Sequence, residues 1–170
     1  KYTVFGNPIA QSKSPAIHYM FAEQAGFTIE YDRTLANQEN IISSLTNFFI
    51  DDNAKGCNVT SPFKEQVAKW VNDLTPAATI AGAVNTVIRK DDGTFLGDTT
   101  DGKGLVQDFD RLNLPVEGAR ILLLGAGGAA RGVLQSILAL EPSLLMIANR
   151  TEKKAIQLAS LIPQDNFVGV

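Results

Sequence analysis

A glycine-rich segment that directly follows an apolar run has the residue types and spacing needed to bind a cofactor. Ile121–Leu124 leads into Gly125-Ala126-Gly127-Gly128-Ala129-Ala130. In the dinucleotide-binding fingerprint, the first glycine permits a tight turn and the second lets the backbone approach a pyrophosphate. A small third residue, here Ala130, lets the helix and the strand pack closely. The segment therefore predicts a dinucleotide site, although packing alone also places glycine turns between strands and helices.

Basic residues follow this segment at the distance where the fingerprint places its ribose-reading residue. A second apolar run ends in Asn149-Arg150-Thr151, and Lys154 lies one helical turn further on. An acidic residue here would bind the free ribose hydroxyl of NAD, whereas an arginine favours a 2′-phosphate. The sequence therefore predicts a preference for NADP, unless Arg150 and Lys154 merely form the solvated start of a helix.

Strands and helices of regular length alternate around these residues. We expect strands over 120–124, 144–148 and near Phe167, with helices from the glycine turn to about Leu140 and over 152–161. This alternation predicts parallel βαβ units.

The first hundred residues predict a second set of elements. Ser14 suits the N-cap of a helix that Pro15 opens and Gly26 ends. Pro62 should open another helix, and Asp91-Asp92-Gly93 predicts a hairpin. The remaining expectations are strands over 2–6, 28–35 and 55–60, helices over 38–49, 76–80 and 103–112, and a loop over 97–102.

These elements predict an α/β chain of two domains. Residues 1–101 should form a mixed-sheet domain, and residues 102–170 a partial, Rossmann-type parallel domain that binds the cofactor. The chain stops in an apolar, strand-like run, Phe167-Val168-Gly169-Val170, where such a sheet normally continues. We therefore expect the second domain to be truncated.

The composition narrows the class of partner. A net charge of −3 offers no basic field for nucleic acid or for an anionic membrane. No apolar run is long enough to span a bilayer, and the first residues do not resemble a secretory signal. Cys57 and His18 are single residues of their types, so spacing indicates neither a disulfide nor a metal site. We expect a cytosolic protein that has neither nucleic acid nor a membrane as its partner.

Four polar blocks lie in order before the glycine turn. They are Ser12-Lys13-Ser14-Pro15-Ala16-Ile17-His18, Asn58-Val59-Thr60-Ser61-Pro62-Phe63-Lys64, Gly82-Ala83-Val84-Asn85-Thr86 and Gly97-Asp98-Thr99-Thr100-Asp101-Gly102. Together they resemble the signature blocks of the shikimate dehydrogenase family, and the resemblance extends over the whole chain. The family's loop usually has asparagine where Thr99 stands.

The resemblance implies that residues 1–101 form the domain that binds the substrate, and it implies a reaction and a role for each residue. Enzymes of this family use NADPH to reduce 3-dehydroshikimate to shikimate on the route to aromatic amino acids. By resemblance, Ser12 and Ser14 hydrogen-bond the substrate carboxylate with help from Thr60, while Asn58 and Asn85 address ring hydroxyls. Lys64 and Asp101 form the catalytic pair. Hydride delivery to a ketone builds negative charge on its oxygen, which a positioned ammonium can stabilise and protonate.

Other interpretations stay open. Taken singly, Lys64 and Asp101 have the residue types of solvent-exposed helix starts and turns, and the serines and asparagines could serve only the backbone. A quinate/shikimate dehydrogenase that uses NAD is one alternative, which Arg150 and Lys154 disfavour. A non-catalytic regulatory domain that binds shikimate is another, which the presence of the catalytic pair disfavours. The resemblance also allows a homodimer.

Overall fold

The chain divides into two compact units. The computed structural model describes residues 1–161 and 167–169. The first unit comprises Lys1–Thr75 and Val84–Asp98, and the second comprises Pro76–Ala83 and Thr99–Val170. The short segment 76–83 thus belongs to the second unit although the first unit surrounds it in sequence. The functional division after residue 101 stays a prediction, and its end at Val170 lies outside the described residues.

A six-stranded mixed sheet forms the first unit. The strands are β1 (Tyr2–Gly6), β2 (Tyr31–Leu35), β3 (Gly56–Val59), β4 (Asp73–Leu74), β5 (Thr86–Arg89) and β6 (Phe95–Asp98). Their order is β2-β1-β3-β5-β6-β4. β1 pairs in parallel with β2 and β3, whereas β5 is antiparallel to β3 and β6. The predicted mixed sheet and the predicted hairpin of β5 and β6 are therefore confirmed.

Three helices accompany this sheet. They are α1 (Ser14–Ala25), α2 (Ile41–Phe48) and α3 (Lys64–Ala68). Each buries apolar side chains: Ala22 from α1, Ile41 and Leu45 from α2, and Val67 from α3. Phe5 in β1 is fully buried. Each of the larger side chains among them contributes roughly 1.5–3 kcal/mol by leaving water, and Ala22 contributes less.

The second unit contains a parallel sheet of three strands. These are β7 (Arg120–Leu124), β8 (Leu144–Ala148) and β9 (Phe167–Gly169), in the order β7-β8-β9. Its helices are α4 (Pro76–Ala81), α5 (Asp101–Arg111), α6 (Gly128–Leu138) and α7 (Glu152–Ala159). Leu134, Leu145, Ile147 and Leu158 form the centre of its core. The predicted βαβ arrangement, and with it the α/β fold class, is confirmed.

Two predicted helix starts were wrong. Lys13, not Ser14, occupies the N-cap position, because its carbonyl oxygen accepts a hydrogen bond from the amide of Ile17 at 3.1 Å. Pro62 does not open α3, because the amide of Phe63 first closes a turn onto the carbonyl of Thr60 at 3.1 Å. The helix begins at Lys64.

Two predictions based on polarity and alternation were also wrong. Gly97 and Asp98 belong to β6 rather than to a loop, since they pair with Val87 and Thr86. A Cβ at Gly97 would lie 2.6 Å from a methyl carbon of Val84, so close packing accounts for the glycine. The strand predicted over 28–35 begins only at Tyr31, because β1 begins at Tyr2, the pairing partner of Tyr31. In the described part of the chain, no helix has the length and apolar character needed to cross a membrane.

Candidate substrate and cofactor sites

One edge of the mixed sheet gathers the residues predicted to bind the substrate. Because β1 and β3 are parallel and β5 is antiparallel to β3, the carboxyl ends of β1 and β3 meet the amino end of β5. Ser12 and Ser14 follow β1, Asn58 and Thr60 lie at the end of β3, and Asn85 precedes β5. In α/β sheets, ligands bind outside the carboxyl ends of strands.

Hydrogen bonds and one electrostatic interaction link four of these five residues. The Ser12 hydroxyl donates to Oγ of Ser14 at 3.2 Å. Burial raises the pKa of the Tyr31 phenol, and its interaction with the Ser14 hydroxyl acts in the opposite direction. Tyr31 donates to Oδ1 of Asn58 at 2.5 Å. Nδ2 of Asn58 then donates to the carbonyl oxygen of Asn85 at 3.2 Å. The serine pair and the asparagine pair are thus held in one network.

Thr86 closes the asparagine end of this network. Its hydroxyl oxygen accepts a bond from Nδ2 of Asn58 at 3.2 Å and donates its proton to Oδ1 of Asn85 at 2.8 Å. These bonds orient both amide groups. The two asparagine side chains are half-buried, so their positions are set by the protein while solvent still reaches them.

Sequence reasoning missed Tyr31, the residue at the centre of the network. It is buried, with 3% of its surface exposed, and its ring stacks on His18 at a centroid distance of 4.3 Å. Burial raises the pKa of the phenol, so it stays protonated and keeps donating to Asn58. Only the position of Tyr31 in an alternating strand signalled that it points inward.

Sequence reasoning also missed Arg33. Its Nε and Nη2 donate to the carbonyl oxygen of Ser12 at 2.9 and 2.6 Å. These bonds hold the loop that carries both serines against β2. His18 anchors the other side, since its Nδ1 lies 2.8 Å from the carbonyl oxygen of Ser14.

The two residues of the predicted catalytic pair lie in different units. Lys64 is the first residue of α3 in the first unit and is half-buried. Its carbonyl oxygen accepts a bond from the amide of Val84 at 3.0 Å, which ties the start of α3 to the residue before Asn85. Asp101 is the first residue of α5 in the second unit and is also half-buried.

A backbone hydrogen bond fixes the position of Thr60. Its amide donates to the carbonyl of Phe5 at 2.9 Å, one residue beyond the end of β3. Its methyl group lies against Gly6, where a Cβ would come within 2.5 Å of it. Thr60 therefore joins the same sheet edge as the serines and asparagines, outside their hydrogen-bond chain.

The glycine turn after β7 has the geometry that a pyrophosphate requires. Gly125 has a φ of +113°, which disfavours other residues, and its amide donates to the carbonyl of Ala148 at 2.7 Å. Gly127 is the N-cap of α6 and carries no side chain to cap the helix. The first amides of α6 therefore remain available to an anion. A Cβ at Gly127 would meet open space, so the cradle for a phosphate is accessible.

A groove of about 650 Å³ lies between the carboxyl ends of β7 and β8. Its lining includes Gly125, Asn149, Arg150 and Glu152, but not Lys154. The side chain of Asn149 donates to the carbonyl of Thr151 at 2.9 Å, which orders the turn before α7. Arg150 is exposed, so its guanidinium is free to meet a phosphate from solvent. The residues present fit a dinucleotide with a 2′-phosphate.

No group of three or more His, Cys, Asp and Glu side chains is arranged to hold a metal ion among residues 1–161 and 167–169.

Two family models match the chain, one in each part. The model described as shikimate dehydrogenase substrate binding domain matches residues 4–87, and the model described as shikimate/quinate 5-dehydrogenase matches residues 109–168. The first match contains the serine and asparagine network, and the second contains the glycine turn and Arg150.

Individual proteins are similar over nearly the whole chain. An NADP(+) shikimate dehydrogenase of Vibrio campbellii is 52% identical over 161 residues, which cover 95% of this chain and 58% of that protein. The crystal structure of shikimate dehydrogenase from Aquifex aeolicus superposes with a TM-score of 0.88 at 34% identity, covering 98% of this chain and 61% of that one. The Thermus thermophilus shikimate 5-dehydrogenase in complex with NADP(H) and shikimate gives 0.83 at 30% identity, covering 95% and 62%. The chain thus spans about three fifths of the length of these relatives.

Proposed function

The chain belongs to the shikimate dehydrogenase family, and from that membership we propose that the protein interconverts 3-dehydroshikimate and shikimate with NADP. The first unit binds the substrate, and the second binds the cofactor. The observation that carries this proposal is the hydrogen-bond network of Ser12, Ser14, Asn58 and Asn85 around Tyr31. It brings residues from four separate segments to one sheet edge, where they match the polar groups of a carboxylated polyol.

The network presents two kinds of polar group to such a substrate. Ser12 and Ser14 offer hydroxyl groups suited to a carboxylate, and the loop that carries them is held by Arg33. Asn58 and Asn85 offer amide groups, and because both Nδ2 hydrogens of Asn58 are donated within the network, Asn58 addresses a ring hydroxyl by accepting at Oδ1. Because the network is held before substrate arrives, little side-chain entropy is lost on binding.

The proposed reaction transfers one hydride and one proton. When bound, NADP supplies the acceptor or donor of the hydride. Lys64 takes the hydroxyl proton of shikimate during oxidation and returns it to the carbonyl oxygen during reduction. Asp101 orients the ammonium and balances its charge. Such proton transfer typically contributes a factor of about 10² to 10⁴ to the rate.

Arg150 supports NADP over NAD in this proposal. It lies in the groove beside Gly125, and the exposed Lys153 and Lys154 add positive charge to the same turn. Glu152 in the groove partly opposes them, but as the first residue of α7 it also faces that helix's positive end. The balance of charge favours a 2′-phosphate.

The test is shikimate-dependent reduction of NADP, followed by absorbance. It is measured on the 170-residue chain and on a hybrid in which this chain replaces the matching residues of the Vibrio campbellii relative. Lys64→Ala should lower kcat about a thousandfold while shikimate still binds. Lys69→Ala is the matched control, because Lys69 is an exposed lysine at the other end of α3.

Several outcomes would overturn the proposal. Equal activity of Lys64→Ala and Lys69→Ala would remove Lys64 from the chemistry. Faster turnover with quinate and NAD than with shikimate and NADP would assign the alternative dehydrogenase. If the hybrid binds shikimate by calorimetry but never reduces NADP, the first unit is a ligand-binding domain rather than part of an enzyme.

A further inference from the structure

The carboxylate of Asp101 packs directly against the backbone of α6. A Cβ at Gly132, in the second turn of α6, would lie 3.0 Å from Oδ2 of Asp101 and 3.3 Å from its Cβ. It would also lie 3.1 Å from the hydroxyl oxygen of Thr99. A methyl carbon does not normally approach its neighbours so closely, so the missing side chain of Gly132 makes the space that these two side chains fill.

The residue after Asp101 packs against the same helix. Gly102 is buried, and a Cβ on it would lie 2.9 Å from the carbonyl oxygen of Gly132 and would collide with Ser136. The first turn of α5 therefore packs closely against α6 at two consecutive residues, through the side chain of Asp101 and the backbone of Gly102.

We propose that Gly132 is a positioning residue for the Asp101 carboxylate. This inference rests on the proposed function, in which Asp101 orients the proton-carrying lysine. Gly132 limits the directions that the carboxylate can take, and it lies one turn beyond Gly128, where α6 begins. One rigid helix therefore carries both the amides predicted to face the pyrophosphate and the surface that aims the carboxylate.

A purely structural role for Gly132 predicts a different result. Alanine is favoured over glycine in a helix interior, so Gly132→Ala gains helix propensity while it loses fit to Asp101. If Gly132 only packs, its substitution changes stability and leaves the reaction alone. If it positions Asp101, the methyl displaces the carboxylate by some tenths of an ångström, and the rate falls with stability nearly unchanged.

The experiment measures kcat and KM for Gly132→Ala in the 170-residue chain if it turns over, and otherwise in the hybrid. We expect kcat to fall about tenfold, with KM for shikimate and for NADP changed less than twofold, because misplacement of a catalytic group lowers rate rather than binding. Gly104→Ala is the matched control: Gly104 lies in α5, and a Cβ there would meet open space. It should leave kcat unchanged.

A double-mutant cycle with Asp101→Asn distinguishes a wrong role for Gly132 from a wrong role for Asp101. If Gly132 acts through Asp101, Gly132→Ala should cost nothing further once the carboxylate is gone. Additive losses, or an unchanged kcat in Gly132→Ala, would overturn the positioning role. If Asp101→Asn alone keeps full activity, the proposed catalytic pair is at fault instead.

A second variant keeps the inference testable even if Gly132→Ala does not fold. Asp101→Glu conserves the charge but pushes the carboxylate one methylene further against α6, so kcat should again fall about tenfold or more. Full activity of Asp101→Glu would show that the space beside Gly132 does not determine the position of the carboxylate.

Discussion

The candidate site of the first unit consists of side chains, whereas that of the second unit consists mainly of backbone. In the first unit, side chains from β2, β3, the loop after β1 and the segment before β5 are held by one another through a buried phenol. In the second unit, the backbone of one short segment forms the predicted pyrophosphate site, with glycines in place of side chains, and Arg150 lies in the groove beside it. A side-chain site recognises a particular pattern of polar groups, whereas a backbone site recognises a phosphate that many cofactors share.

The largest expected effect tests the backbone site. Gly125→Ala forces a residue with a Cβ to adopt a φ of +113°, a strain of about 1–3 kcal/mol. We expect NADP to bind about a hundredfold more weakly, while shikimate binding stays unchanged. Fluorescence titration with NADPH and calorimetry with shikimate measure the two affinities.

Gly93→Ala is the control for this strain. Gly93 also has a positive φ, +83°, and open space around its Cα, but it lies in the β5–β6 hairpin of the first unit. If Gly93→Ala weakens NADPH binding as much as Gly125→Ala does, the loss reflects general destabilisation and not the cofactor turn.

The next effect concerns the choice of cofactor. Arg150→Ser removes the exposed guanidinium from the groove beside Gly125 but keeps a hydrogen-bonding group. We expect the Kd for NADP to rise about tenfold and that for NAD to change less than twofold, because only the first carries the 2′-phosphate. An equal loss for both cofactors would place Arg150 outside the phosphate site. Arg111→Ser, which removes an exposed arginine at the end of α5, is the control for a general loss of positive charge.

The sequence predicted the site that lies in one continuous segment, but it did not reveal every residue of the site that combines distant segments. The strand, turn and helix from Arg120 to Leu138 follow from one stretch of sequence, because each glycine there serves the local backbone. Tyr31 and Arg33 were missed because their partners Asn58 and Ser12 lie 27 and 21 residues away. The pairing of β1 with β2 and β3 brings them together, and no local pattern indicates a partner at that distance.

The assignment of segments to units shows the same limit. α4 lies between two strands of the first unit in sequence, yet it packs against α6 of the second. Its short run of small residues matches the expected helix but does not indicate which core it joins. Asp101 was likewise expected in a loop, because glycines and polar residues surround it, and helix packing at Gly102 accounts for those glycines instead.

The folding stability of the first unit should decrease at alkaline pH. Burial raises the pKa of the Tyr31 phenol above its ordinary value of 10.0 and that of the Cys57 thiol above 9.0. Both groups therefore stabilise the fold below pH 9, and this stability is lost as the pH rises, because the unfolded chain ionises them first. Each group contributes a slope of up to about 1.4 kcal/mol per pH unit.

Trp70 reports this transition. It is the single tryptophan of the chain and stacks on Phe95 in the first unit, at a centroid distance of 4.8 Å. Urea unfolding followed by its fluorescence between pH 8 and pH 11 should show a decreasing free energy of unfolding, and Cys57→Ala should flatten the part of the curve that begins near pH 9. An unchanged curve in that variant would contradict the buried thiol as the cause.

The smallest expected effect tests whether the hydrogen-bond network positions the residues that contact the substrate. Tyr31→Phe removes the bond to Asn58 but keeps the ring that stacks on His18. At neutral pH we expect a loss of about 1–3 kcal/mol in stability, since Asn58 loses a partner, and a threefold to tenfold weaker affinity for shikimate. Tyr2→Phe is the control, because Tyr2 stacks on Tyr31 at 6.5 Å and lies outside the hydrogen-bond chain. If Tyr31→Phe loses stability but binds shikimate as well as Tyr2→Phe does, the serines and asparagines are positioned by their backbones, and the contrast between a side-chain site and a backbone site disappears.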